Sequence, residues 1–149
     1  MPFSKILIAV DSSTFSMNAA KKGFELARQL DAEIAAVYVV DSARAIANLD
    51  AGILPMDTEE IYQKEGELTM KQLGEIFEGP GELVHFLPEG NPQEEIINTS
   101  EQWGADLIVI GTHGRTGLAH FLVGSIAESV VRHSKVPVMV VPTKDQDEE

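Results

Sequence analysis

Four short, uninterrupted runs of apolar residues constrain the fold of this chain more than any other feature of its sequence. None of them alternates apolar with polar residues, so each predicts a strand that is buried on both faces, as in a parallel sheet flanked by helices. A fifth, weaker run at Glu82–Leu87 alternates more and predicts a strand nearer the edge. The four main runs are Ile6–Val10, Ile34–Val40, Leu107–Ile110 and Val136–Val141.

Helical patterns separate these runs. Apolar residues at spacings of three and four predict a first helix that ends near Leu30. Glu59–Phe77 predicts a second helix, which Gly79-Pro80-Gly81 ends. The residues expected to face inward are Met17, Ala20, Phe24 and Ala27 in the first helix, and Ile61, Leu68, Leu73, Ile76 and Phe77 in the second.

The third helix has the clearest start signal. Asn91 can cap it, Pro92 suits the first helical position, and Glu94 completes a capping box. Gly104 ends it. A fourth helix is predicted over Ser125–His133.

Strands and helices therefore alternate along a chain of 149 residues, which is a single-domain length. Such alternation implies right-handed βαβ units and one parallel sheet. We predict one α/β domain over residues 1–143 and an acidic, flexible tail over residues 144–149. The connection over residues 41–58 is long enough for a lid or a binding loop, but the sequence assigns it no role.

Composition excludes several classes of function. The chain carries 24 acidic and 11 scattered basic residues, for a net charge of −13, which argues against a nucleic-acid partner. It has no cysteine, so disulfides, thiolate catalysis and Cys-ligated metal sites are excluded. No apolar run reaches the roughly 20 residues of a membrane span. The run Ile6–Val10 is too short for a signal peptide, so we expect a cytoplasmic protein.

In open α/β sheets, ligands bind beyond the carboxyl ends of the strands, where the strand order reverses. Asp11 follows the first predicted strand, and the Gly-rich dinucleotide fingerprint is absent there. One interpretation has Asp11 accept hydrogen bonds from the hydroxyls or base of a ligand, or hold a cation through water. The other has Asp11 cap the following helix, as Ser12, Ser13 and Thr14 also can. Both stay open.

A glycine-rich loop follows the fourth main strand, with four glycines between Gly111 and Gly124. Glycine allows successive backbone N–H groups to form an anion-binding nest, and a helix N-terminus at Ser125 adds further donors. A strongly acidic chain can therefore still bind a phosphate, and a divalent cation would lower the remaining repulsion. The loop is not a P-loop, because no G-K-[ST] occurs in the chain.

Side chains of this loop have alternative interpretations. Ser125 and Glu128 have capping-box spacing, so the Ser125 hydroxyl either caps its own helix or faces a phosphate. Arg115 can pair with a phosphate. His113 and His120 lie seven residues apart without a third ligand nearby, so they predict no metal site.

With this loop the sequence resembles the ATP-binding branch of the universal stress protein family. That branch is marked by G-x-x-G-x9-G-[ST], and Gly111, Gly114, Gly124 and Ser125 match the whole pattern. The resemblance covers about residues 3–142. It includes the segments Ile6–Asp11, Tyr38–Asp41, Trp103–Val109 and Val136–Val141.

The resemblance implies an open five-stranded parallel sheet in the order 3-2-1-4-5, with helices on both faces, of the Rossmann-like, adenine nucleotide alpha hydrolase-like type. It implies ATP, ADP or AMP as the ligand, with or without Mg²⁺. Ala9, where some relatives have proline, would contact adenine and ribose with Asp11 and Val39. The residues implied on the ribose and phosphate side are Gly111, Gly114, Gly124, Ser125 and Ile126, with Arg115 near the phosphates and Val10 and Ile110 completing the set.

The last predicted strand bears on partners. Val136–Val141 is apolar, and Pro137 suits an edge strand. An exposed apolar edge needs covering, and the resemblance implies that two copies pair this strand antiparallel in a two-fold homodimer.

Three hypotheses of function follow. The first is an ATP-binding protein that acts as a nucleotide-dependent sensor or switch in stress response. The second is a slow ATPase or phosphotransferase, which the missing P-loop lysine and the lack of an evident base disfavour. The third is a nucleotide-free dimer that binds a protein partner. The sequence does not identify a downstream partner.

Overall fold

The computed structural model describes residues 3–11, 13–41, 52, 55–79, 81–112 and 124–142. Most of the 41–58 connection and the predicted tail lie outside these residues. The strands are β1 (Lys5–Val10), β2 (Glu33–Tyr38), β3 (Val40–Asp41), β4 (Leu83–Phe86), β5 (Glu89–Gly90), β6 (Leu107–Gly111) and β7 (Val138–Val141). The helices are α1 (Thr14–Leu30), α2 (Pro55–Ile76), α3 (Pro92–Trp103) and α4 (Ser125–His133).

Five of the strands form one parallel sheet in the order β4-β2-β1-β6-β7. If the five predicted strands are numbered along the chain, this is the order 3-2-1-4-5, so the predicted fold class is confirmed. β1 is central, and Ala9 is in register with Val37 on one side and Ile110 on the other. The strand order reverses between β1 and β6, so the segments that follow these two strands begin side by side.

Alternate residues of the central strands enter two cores. Ile6 and Ile8 pack with buried residues of α1 and α2, whereas Leu7 packs with buried residues of α3 and α4. Ile6, Leu7 and Ile8 have no exposed surface. Helices therefore cover both faces of the sheet, which is the physical reason that these strands read as continuous apolar runs.

Two buried glycines set how closely α1 and α2 approach the sheet. A Cβ atom added at Gly23 would lie 2.7 Å from Ile8 Cδ1, and one added at Gly66 would lie 2.9 Å from Tyr38 Cδ1. A larger residue at either position would require the packed side chains to move. Gly23 thereby holds α1 directly against the central strand.

The inward face of α2 differs from the prediction. Ile61 and Leu68 are 56% and 59% exposed, so the prediction that they face inward is wrong. The buried stripe runs through Tyr62 and Met70 to Leu73, whose predicted inward position is confirmed, as is the packing of Ile76 and Phe77 against the core. Both stripes have helical spacing, and the buried one was less apparent because a glycine and a threonine interrupt it. The helix also begins at Pro55, four residues before the predicted start.

The second main run is divided between two sheets. β2 ends at Tyr38, and β3 pairs instead with β5 in a separate two-stranded parallel sheet. The backbone N–H of Val40 donates to the carbonyl of Pro88 at 2.8 Å. β5 was not predicted, because Glu89–Gly90 carries no apolar pattern.

At the amino edge of the sheet, one carboxylate ties the start of β1 to β6. Asp106 accepts hydrogen bonds from the Ser4 N–H at 2.9 Å, the Ser4 hydroxyl at 2.9 Å and the Lys5 N–H at 3.1 Å. Burial raises the pKa of Asp106, but these hydrogen bonds together outweigh it and hold the pKa below its usual range. The contact helps to align β1 with β6, and therefore the two strand ends at the opposite edge.

Candidate functional site

Two strand-to-helix junctions lie next to each other at the carboxyl edge of the sheet. The first, the β1–α1 junction, comprises Asp11 and Ser13, with Ser12 outside the described residues. The second, the β6–α4 junction, comprises Thr112 and Gly124. Because Ala9 and Ile110 are direct partners in the sheet, the two junctions begin on adjacent strands.

The β1–α1 junction is closed by its own side chains. Ser13 is the N-cap of α1, and its hydroxyl accepts a hydrogen bond from the Ser16 N–H at 3.2 Å. Asp11 is not the cap. Its Oδ1 accepts hydrogen bonds from the Ser13 N–H at 2.8 Å, from the Ser16 hydroxyl at 2.8 Å and from the Ser13 hydroxyl. Two serines therefore set the direction of the Asp11 carboxylate, whose role toward a ligand stays a prediction.

The β6–α4 junction is closed by backbone hydrogen bonds. The N–H of Thr112 donates to the carbonyl of Val141 at 3.0 Å, and the N–H of Gly124 donates to the carbonyl of Thr112 at 2.6 Å. The two ends of the glycine-rich loop are thus held together beside the end of β7. Residues 113–123, which include the predicted Gly114 and Arg115, lie outside the described residues.

None of the described residues supplies a side-chain cap at the start of α4. Gly124 is the N-cap residue, and no side-chain capping bond is made there by the described residues. The first helical hydrogen bond runs from the Glu128 N–H to the Gly124 carbonyl at 2.9 Å. The amides of Ser125, Ile126 and Ala127 precede that bond, so they point out of the helix end as donors.

Ser125 is therefore the first residue of α4 and is exposed. The interpretation in which its hydroxyl caps its own helix is wrong, because the glycine before it occupies the cap position. Glu128 pairs with Arg132 at 2.8 Å, which offsets part of the negative charge in this first turn. The helix dipole leaves the exposed end partly positive.

The remaining predicted residues lie at the same edge. Ala9, Val10 and Ile110 are buried in the ends of β1 and β6. Val39 is half-buried just beyond β2, and Ile126 is exposed in the first turn of α4. The fold thus brings the described members of the predicted set to one edge, with apolar strand ends between a carboxylate and a group of amides.

Sequence reasoning missed two residues of these junctions. Ser16 holds Asp11, and its only sequence signal is its place in the first turn of α1, three residues after Ser13. Thr112 acts through its backbone, which the sequence does not reveal. Within the described part of the chain, no group of three or more side chains is placed to hold a metal ion. In the same part of the chain, no helix has the length and apolar character of a membrane span.

The fold and these junctions define a Rossmann-like α/β protein with a helix N-terminus at its switch point. The model of the universal stress protein family matches residues 2–142. The chain belongs to this family.

Relatives and solved structures agree with that assignment. The chain is 38% identical over 140 residues to universal stress protein MJ0531 of Methanocaldococcus jannaschii, covering 93% of this chain and 82% of that protein. It is 29% identical over 146 residues to YxiE of Bacillus subtilis, covering 93% and 99%. Among structures, UspA of Lactobacillus plantarum superposes with a TM-score of 0.82 at 24% identity, covering 95% of this chain and 99% of that one. MJ0577 superposes with a TM-score of 0.83 at 26% identity, covering 98% and 100%.

Proposed function

We propose that this protein binds an adenine nucleotide, ATP or its products ADP and AMP, between the ends of β1 and β6. It then acts as a nucleotide-dependent sensor or switch in the stress response of the cytoplasm. The observation that carries the proposal is the start of α4, where a glycine leaves the first-turn amides without a side-chain cap among the described residues. The full G-x-x-G-x9-G-[ST] spacing ends at this same turn.

The choice of an adenine nucleotide as the ligand rests on other members of the family. A universal stress protein was solved in complex with cAMP, and one from Archaeoglobus fulgidus was solved in complex with dAMP. They share 20% and 21% identity with this chain, so their likeness is one of fold. We extend the ligand class to this chain because its own junctions combine amide donors with an apolar strand end.

The charges at the two junctions favour one direction for the ligand. The positive end of α4 attracts the phosphates, and the Asp11 carboxylate repels them. The nucleoside would therefore lie toward Asp11 and Val39, and the phosphates toward Gly124 and Ser125. Gly114 and Arg115 are proposed as further phosphate contacts, and Mg²⁺ would lower the repulsion between the phosphates and this acidic chain.

We favour binding over rapid chemistry. The chain has no P-loop lysine, and the one carboxylate at the described junctions is already engaged by two serines. Phosphate release with Mg²⁺ tests this point. Turnover of about 1–100 s⁻¹, the usual kinase range, would favour the slow-ATPase or phosphotransferase hypothesis over a switch.

The proposal includes a homodimer formed through Val136–Val141. Among the described strands, β7 is the last on its side of the sheet, and Met139 on this strand is 39% exposed. Antiparallel pairing with a second copy would cover this apolar edge. Sedimentation of Met139→Lys should show a monomer if the edge is the interface, and an unchanged dimer would exclude it.

Nucleotide release and titration test the binding proposal. Purified protein should release an adenine nucleotide on denaturation, and protein freed of nucleotide should bind ATP well below millimolar concentration. Gly114→Val should abolish binding and leave the melting temperature unchanged. If the chain binds neither ATP nor AMP below millimolar concentration, the sensor proposal fails.

A further inference from the structure

Ser16 occupies an unusual position for a buried helical serine. It is 7% exposed, and its hydroxyl contacts the end of β1 instead of its own helix. The Ser16 Oγ accepts a hydrogen bond from the Asp11 N–H at 2.8 Å and donates one to Asp11 Oδ1 at 2.8 Å. One side chain thus holds both the backbone and the carboxylate of Asp11.

Ser100 shows the ordinary arrangement. It is 4% exposed in α3, and its hydroxyl donates to the carbonyl of Ile97 at 2.7 Å, within the same helix. A buried serine satisfied in this way has no need of a partner elsewhere. The bonds of Ser16 are therefore not forced by burial alone.

The bonds around Asp11 form a closed cycle. The Ser16 N–H donates to the Ser13 hydroxyl, the Ser13 hydroxyl donates to Asp11 Oδ1, and the Ser16 hydroxyl donates to the same oxygen. A hydroxyl has one donor hydrogen, so both serines commit theirs to Asp11. The direction of the carboxylate is fixed before any ligand arrives.

We propose that Ser16 is a positioning residue for ligand recognition, which presets the Asp11 carboxylate as an acceptor for a donor group on the nucleoside part of a bound nucleotide. This inference rests on the proposed function. An ionised carboxylate only accepts hydrogen bonds and repels phosphates, so it recognises a hydroxyl or amino group. A side chain already held in place costs less to order when the ligand binds.

Two ligands distinguish recognition of the nucleoside from recognition of the phosphates. ATP carries both groups, whereas inorganic tripolyphosphate has no nucleoside. Ser16→Ala should weaken ATP binding by about three- to tenfold, the size expected when one more side chain is immobilised on binding. Its affinity for tripolyphosphate should stay within about twofold of wild type, since Asp11 repels phosphates in either protein. Ser100→Ala, the matched buried-serine control, should leave both affinities unchanged.

A double-mutant cycle tests whether Ser16 acts through Asp11. Asp11→Ala should weaken ATP binding more than Ser16→Ala does, and adding Ser16→Ala to it should cause no further loss. Additive losses would overturn the inference, as would equal losses for ATP and tripolyphosphate. If Ser16→Ala does not fold, Ser16→Thr and Ser16→Val form a pair of similar shape that differs in the hydroxyl, and only threonine should support ATP binding near the wild-type level.

The outcomes also separate this inference from the proposed function. If wild type binds ATP and Ser16→Ala binds it equally well, the inference is wrong and the nucleotide site stands. If wild type binds neither ATP nor tripolyphosphate, the proposed function fails and the inference fails with it.

Discussion

The β1–α1 and β6–α4 junctions follow adjacent strands at the same edge of the sheet, but they differ in whether a side chain caps the helix that follows. Ser13 caps α1 with its own side chain, whereas Gly124 leaves the first turn of α4 without a side-chain cap from the described residues. A side-chain cap contributes stability and engages one of the first amides of the helix. An uncapped end forgoes that stability and keeps its amides for another acceptor.

The difference also gives the carboxyl edge a polarity. The β1–α1 junction presents a carboxylate held by serines, and the β6–α4 junction presents the positive end of a helix. A ligand with an anionic end and a hydrogen-bond donor at the other end matches this arrangement in one direction only. The comparison therefore supports a phosphate-bearing nucleoside better than a free phosphate.

The largest effect is expected when the β6–α4 junction is made to resemble the β1–α1 junction. The backbone angles of Gly124, φ −60° and ψ 155°, suit a side-chain cap. Gly124→Asp should place a carboxylate on the amides and reduce ATP affinity by about 100-fold or more, because like charges brought together cost several kcal/mol. The measurement is calorimetric titration of ATP.

Gly124→Asn is the matched control for this substitution. Asparagine caps a helix about as well as aspartate does but carries no charge, so its loss of affinity should be clearly smaller. Both variants should gain a few tenths of a kcal/mol in the free energy of unfolding, since a capping side chain replaces glycine. Unchanged ATP affinity in Gly124→Asp would show that the start of α4 is not the phosphate site.

The next largest effect is expected at the opposite edge of the sheet, where a substitution should lower stability and leave ATP binding unchanged. Asp106→Asn removes the charge that Ser4 and Lys5 stabilise, and should lower the free energy of unfolding at pH 7 by about 1–2 kcal/mol, because hydrogen bonds to charged groups are stronger than neutral ones. ATP affinity should not change. Urea unfolding and ATP titration of the same samples provide the measurement.

The pH dependence of this effect has a definite sign. The pKa of Asp106 is lowered in the folded protein, because hydrogen bonds outweigh the opposing effect of burial. Its contribution is therefore fully present above the unfolded pKa of about 3.9 and is lost as the pH falls through the lower folded value. The gap in stability between wild type and Asp106→Asn should shrink below about pH 4. A gap that stays constant from pH 7 to pH 3 would contradict this account.

Removal of the α1 cap should have a smaller effect. Ser13→Ala should lower the free energy of unfolding by about 1 kcal/mol, the usual cost of losing a serine cap. It also removes one donor from Asp11 Oδ1, so ATP affinity should fall modestly. Asn91→Ala, which removes the equivalent cap of α3, should cost similar stability with no change in ATP affinity. If Ser13→Ala and Asn91→Ala changed ATP affinity equally, the cap of α1 would have no specific role in ligand binding.

The fold was predictable because its strongest signals are local. Continuous apolar runs such as Ile6–Val10 occur where both faces of a strand are buried, and Asn91 with Pro92 marks the start of α3 in the sequence and in the structure. The face of α2 was not predictable in the same way. Ile61 and Leu68 are more apolar than Gly66 and Thr69, which are buried. Two faces of the helix therefore have apolar residues at helical spacing, and only packing against the sheet decides which face is buried.

The candidate site was predictable in position but not in its hydrogen bonds. The strand order, which the resemblance to the family implied, places the ends of β1 and β6 side by side, because Ala9 pairs with Ile110. The sequence offered several serines and an aspartate as caps of α1, and spacing alone does not choose among them. The structure assigns the cap to Ser13 and gives Ser16 the contact with Asp11, because tertiary geometry determines which hydroxyl reaches which oxygen.

The smallest expected effect addresses Ser125, whose hydroxyl is available because Gly124 holds the cap position. Ser125→Ala should leave the free energy of unfolding unchanged or slightly higher, since alanine has the better helix propensity. ATP affinity should fall by about three- to tenfold, the value of one hydrogen bond of about 1 kcal/mol to the phosphates. Ser125→Thr, which keeps the hydroxyl, should bind like wild type. If wild type, Ser125→Ala and Ser125→Thr bound ATP equally well, the amides of α4 alone would hold the phosphates. The β6–α4 junction would then differ from the β1–α1 junction in using backbone groups and no side chain.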